Sequence, residues 1–134
     1  MLSHRLTALI LAAKLKKKLK WADLAKTLGQ SKEWSTAALM GQMTLTAAQA
    51  KAIGKQLGLP AEAVEQLQVV PYKGSLPTAV PTDPLIYRFY ELVMVNGPAW
   101  KALIEEEFGD GIMSAIDFDF AFERVANPKG DRVK

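Results

Sequence analysis

In the first half of the chain the apolar residues recur at three- and four-residue intervals in short blocks, the spacing that gives a helix one buried stripe. Leu6, Leu9, Ile10 and Ala13 form the first block, with Ser3 as its expected N-cap and the lysines of 14–20 continuing around a solvated flank. A second helix is expected from about Trp21 through Leu24, Ala25 and Leu28, stopping at Gly29, where a left-handed cap suits glycine. Ser31 is placed to cap a third, carrying Trp34, Ala38 and Leu39 before Gly41. Thr46 and Gln49 have the spacing of a capping box and open a fourth through Ala50, Ile53 and Leu57 to Gly58. Pro60 suits the first turn of a fifth, with Val64 and Leu67 inward. The pattern predicts an all-α bundle of five short helices.

The stretch VVPYKGSLPTAVPTD, residues 69–83, breaks this periodicity: its prolines and glycine favour an extended connector and mark a domain boundary. Asp83 followed by Pro84 is a helix start, because proline disfavours helical angles at Asp83 and leaves that side chain free to cap. Leu85, Phe89, Leu92 and Val93 give the next helix an expected buried stripe. Gly97 and Pro98 are expected to restart a second one, with Trp100, Leu103, Ile104 and Phe108 inward and Gly109 at its end. After the GDG turn of 109–111 the period changes, since Ile116, Phe118, Phe120 and Phe122 alternate with Asp117, Asp119 and Ala121. That predicts a strand with a phenylalanine face. Asn127–Asp131 reads as a hairpin turn, and the three residues after it look too few to pair with the preceding strand. A strand of this kind needs cover from another element or another subunit, which argues for an oligomer.

Composition narrows the chemistry. The 134 residues are 49% apolar and 23% charged, an ordinary soluble profile, and contain no cysteine, which excludes disulfides, thiolate nucleophiles and Cys-ligated metals. A reducing, cytoplasmic home fits that usage. The basic start followed by Leu6–Ala13 runs into lysines rather than a small-residue cleavage site, so it reads as a mature helix and not a signal peptide. No apolar run reaches the ~20 residues needed to span a bilayer. Residues 1–70 carry ten Lys/Arg against four Asp/Glu, whereas 71–134 carry seven against ten, so the halves differ in electrostatic character. The expected division is a helical domain over 1–75 and a second domain over 76–134.

LxxLAxxLGxS over 21–31, a third helix, then LTxxxA over 45–50 resembles the helix-turn-helix domains of repressor-like DNA-binding proteins. The third helix, the one that would read bases, offers Lys32, Glu33, Trp34, Ser35, Thr36, Ala37, Ala38 and Gln42, with no Arg or Asn for bidentate contact to purine edges. A DNA-binding regulator is therefore the alternative reading, and nucleic acid is not the expected partner. Arg88 and Glu91 share a helix face and, by spacing alone, describe an ordinary surface ion pair. Ser114 follows a glycine-rich turn and has no histidine to act as its base, because His4, the single histidine, lies at the far N-terminus. Asp117, Asp119 and the run Glu105–Glu107 lack the third-ligand spacing of a metal site, and neither GxGxxG nor GxxxxGK[ST] occurs. No metal and no cofactor is expected.

The segment from Asp83 to Phe118, combining DPxxYRFYE with KAxIxExFGDGIMSAIxF, resembles the C-terminal domain of the cyanate lyase family. The N-terminal half also resembles that family's helical domain, in which a repressor-like fold serves assembly. The resemblance implies an α+β fold, with an N-terminal helix-turn-helix-like bundle and a small C-terminal α/β domain for dimerisation and catalysis. It implies bicarbonate-dependent decomposition of cyanate to carbamate and CO2, with carbamate giving ammonia and CO2. The implied assembly is a decamer of five dimers, with sites built between subunits. By motif, the family's catalytic Arg, Glu and Ser fall on Arg88, Glu91 and Ser114, with bicarbonate as co-substrate and no cofactor. The family's second hairpin strand and its tail are expected beyond Lys134, where this sequence stops.

Overall fold

The computed structural model describes residues 2–74, 76–113 and 118–134. The chain forms two compact units, one made of Met1–Gly74 together with Phe120–Lys134 and the other of Ser75–Asp119.

The first unit holds five helices: α1 (Leu2–Lys16), α2 (Trp21–Leu28), α3 (Lys32–Leu39), α4 (Ala47–Leu57) and α5 (Ala61–Gln66). Their starts follow local chemistry. The Ser31 hydroxyl accepts the Trp34 N–H at 3.1 Å, and Thr46 and Gln49 form a reciprocal capping box. Lys20 precedes α2 with its N–H held by the Asp23 carboxylate at 2.8 Å. Gly29 and Gly58 end α2 and α4 in the left-handed conformation, both at φ 68°. Pro60 sits just before α5. The expected cap at Ser3 is corrected: α1 already begins at Leu2, so Ser3 lies within it.

Ile10, Leu24, Leu28, Ala38, Leu39, Leu45, Ala50, Ile53, Leu57 and Leu67 form one buried cluster. Leu6, Ala13, Trp21, Trp34 and Val64 pack against its edge. Most of the inward positions read from the helical period are therefore core positions. Two long-range bonds lock the bundle: Leu45 N–H to the Leu67 carbonyl at 3.0 Å, and the Gln49 amide to the Leu28 carbonyl at 3.1 Å. The second satisfies one of the carbonyls that a helix C-terminus leaves open. Ser35, one of the residues that the third helix would offer to bases, is fully buried, and its hydroxyl has no hydrogen-bond partner among the described residues.

The second unit contains α6 (Pro84–Phe108), one continuous helix of 25 residues where two were expected. Pro98 lies inside it. Proline's fixed φ is compatible with a helix; what it removes is one N–H to the carbonyl four residues back, and α6 continues through that loss. No described residue of α6 is buried, and its expected buried stripe stands open, with Leu85 69%, Phe89 48%, Leu92 51% and Val93 55% exposed. The apolar period falls on α6 as expected, but the stripe is not buried among the described residues.

The strand expected over 116–122 is also corrected. Ile116 and Asp117 lie outside the described residues, and Phe118–Phe122 form no strand. Alternation marks an apolar face, but a strand exists only where a ladder pairs it. The ladder lies one step later: β1 (Arg124–Val125) pairs antiparallel with β2 (Arg132–Val133), in the register Arg124 to Val133 and Val125 to Arg132. Thus the few residues after the turn do pair. The turn explains why so short a ladder closes: Asn127 Oδ1 accepts the Lys129 N–H at 2.9 Å, and Gly130 at φ 108° donates to the Asn127 carbonyl at 3.0 Å. Arg124 pairs with Asp131 across it at 3.0 Å.

Candidate active site

The start of α6 sets the phase of its functional side chains. Asp83 Oδ2 accepts from the N–H groups of Leu85 and Ile86 at 2.9 and 3.0 Å, and Pro84 occupies the first turn. One turn further on, Arg88 Nη1 donates to Glu91 Oε1, so the two residues singled out by their spacing do meet.

The pair is accessible, with the side chains of Arg88 and Glu91 63% and 43% exposed. Such a pair contributes little to stability. Its chemical value lies elsewhere, since one guanidinium N–H is committed to Glu91 and the remaining donors of a permanently charged, planar group stay available for an anion. Two tyrosines that the sequence reading did not single out join it. The guanidinium carbon of Arg88 lies 5.8 Å from the Tyr87 ring centre, and the Tyr87 and Tyr90 rings are 5.8 Å apart, tilted by 38°. Their signal was in YRFYE itself, because residues 87, 88, 90 and 91 fall on neighbouring strips of one helical turn.

Ser114, the third candidate, lies outside the described residues, as does Asp117. Among the described residues no group of three or more His, Cys, Asp or Glu side chains converges to hold a metal ion. No described helix is long and apolar enough to cross a membrane. The arrangement is suited to binding small anions at an arginine whose orientation is held by a carboxylate.

Comparison with known proteins supplies the family. Residues 78–134 match the model of the cyanate lyase C-terminal domain, and residues 3–71 match that of the cyanate hydratase N-terminal domain. A cyanate hydratase of Dechloromonas aromatica is 72% identical over 131 residues, spanning 98% of this chain and 89% of that protein. One from Thiobacillus denitrificans is 67% identical over 134 residues, spanning 100% and 91%. The crystal structure of a cyanase from T. urticae superposes with a TM-score of 0.74 at 36% identity, covering 93% of this chain and 90% of that one. Fold and sequence agree along both halves, and the helix that carries Arg88 and Glu91 falls within the catalytic family's own domain: this chain belongs to the cyanate lyase family.

Proposed function

We infer that the chain is a cyanate lyase that decomposes cyanate with bicarbonate as co-substrate. The activity rests on its near full-length identity with cyanate hydratases, and the observation that carries the mechanism is the accessible Arg88–Glu91 pair on α6. Nothing in these relatives favours a helix-turn-helix regulator.

Cyanate and bicarbonate are both anions, so the first obstacle is mutual repulsion. Attack of a bicarbonate oxygen on the cyanate carbon, with its proton passing to nitrogen, leads to a carboxycarbamate dianion. Loss of CO2 with uptake of one proton at nitrogen leaves carbamate. Carbamate then takes up a second proton and separates into ammonia and CO2. Arg88 is suited to gathering these species, because guanidinium presents paired donors to carboxylate oxygens at any working pH. Several copies of it in a water-poor pocket between subunits would place positive charge where the dianion forms. Ser114 donates its hydroxyl to a bound anion and is not a nucleophile. Glu91 orients Arg88 first and handles protons second, since a free carboxylate beside an anion site would repel its ligand. No step passes through a metal or cofactor.

The assembly we propose is a homo-oligomer, a decamer of five dimers. The unburied apolar surface of α6 supports it, being more than a solitary chain ordinarily leaves in water. A cytoplasmic setting is consistent with the absence of cysteine. The direct test is to incubate the protein with cyanate, with and without bicarbonate, and measure ammonia. Bicarbonate-dependent release is expected, and none from the intact protein would sink the reading.

A further inference from the structure

The third helix of a repressor-like bundle is the one that reads DNA in proteins of that class. Here it is engaged by the chain's own later segments at both ends. At its first residue, Lys32 Nζ donates to the Phe122 carbonyl at 3.1 Å, joining residues 90 positions apart. Lys32 also borders a shallow cavity whose other walls are hairpin residues, among them Phe122, Glu123, Arg124, Asp131 and Arg132. Glu33, with its side chain only 10% exposed, lies 3.7 Å from the same ammonium and forms an ion pair with it. Just past the helix's far end, Gln42 Oε1 accepts the Gly74 N–H at 2.7 Å. Gly74 is the last residue before the second unit begins, and Phe122 comes shortly after that unit ends.

We propose that α3 serves as a two-ended anchor for the polypeptide that carries the catalytic residues, and that Lys32 is a positioning residue for the reaction. The physical case is one of chain entropy. Residues 75–119 hold Arg88, Glu91 and Ser114, and a segment fixed at one end only would keep more conformational freedom than one fixed at both. Fixing Phe122 to α3 restrains the chain just past the C-terminal end of that segment. A lysine suits the task because its ammonium can donate to the Phe122 carbonyl while facing Glu33. Occupation of the first turn of α3 by the hairpin also gives the repressor-like helix a use other than base reading. The kinetic half of this proposal rests on the cyanate lyase reading above; the anchoring half does not.

The test compares wild type, Lys32→Met and Lys32→Arg in the full chain, by amide hydrogen exchange and by cyanate turnover. The Glu123 amide, which pairs with the Lys134 carbonyl at 3.0 Å, reports on the hairpin. Lys32→Met should speed its exchange roughly fivefold, as expected for loss of one ordinary solvent-exposed hydrogen bond. It should lower kcat more than it raises KM, while Lys32→Arg restores both readouts. Unchanged exchange in Lys32→Met would overturn the anchor. Faster exchange with unaltered turnover, or failure of arginine to rescue turnover, would overturn the positioning role. A wild-type protein without cyanate turnover would defeat the functional reading and leave the exchange result to judge the anchor alone.

Discussion

Replacing Arg88 by alanine separates a structural ion pair from a catalytic one. The side chain is 63% exposed and meets Glu91 at a spacing of three residues on a helix surface. A pair in that setting is worth a few tenths of a kcal/mol, and alanine is a better helix former than arginine by a similar small amount. Urea unfolding of Arg88→Ala should therefore agree with wild type within about 0.5 kcal/mol, and the assembled mass should not change. Turnover should fall by at least about a hundredfold, the scale seen when one preorganised donor to a developing anion is removed. Arg88→Lys keeps the charge but loses the planar fork, and should recover only part of the activity. The assays are bicarbonate-dependent ammonia release, denaturant titration and light scattering on the same samples. Turnover of Arg88→Ala within a few-fold of wild type would show that another cation gathers the anions. A loss of about 2 kcal/mol or of the assembly would show that the pair is structural and that the activity loss is secondary.

Two further substitutions probe the packing. A Cβ at Gly54 on α4 would collide with the branched side chain of Val64 on α5, so Gly54→Ala should destabilise by about 1–3 kcal/mol despite its helix-propensity gain. Adding Val64→Ala should remove most of the clash in urea titrations, and a single Gly54→Ala variant more stable than wild type would contradict the packing described. Leu92, 51% exposed on the apolar face of α6, should sit in a subunit interface. Leu92→Lys is expected to lower the mass measured by light scattering and to abolish turnover, and an unaltered mass would place the interface elsewhere.

The helical half was legible because its signals are local. Ser31, the Thr46/Gln49 capping box and the glycines at 29 and 58 set element ends through bonds within a few residues, and the apolar period between them named most of the core. The Arg88–Glu91 pair was legible as a pair for the same reason, since helical spacing alone brings the two side chains together. Its meaning was not, because an exposed i,i+3 ion pair is common chemistry; the YRFYE and GIMSAI motifs and the relatives supplied the reaction.

Tertiary structure decided what periodicity could not. A period says which face is apolar, not what covers it, so the stripe on α6 was read as buried and is found exposed among the described residues. Whether Pro98 divides a helix depends on what one missing hydrogen bond costs in context, and α6 runs through it. The short β1–β2 ladder and the link from Lys32 to Phe122 join residues far apart along the chain or held by a turn's three-dimensional geometry. Local sequence determined the elements and the caps, whereas the partners of each exposed face are set by contacts that no linear pattern encodes.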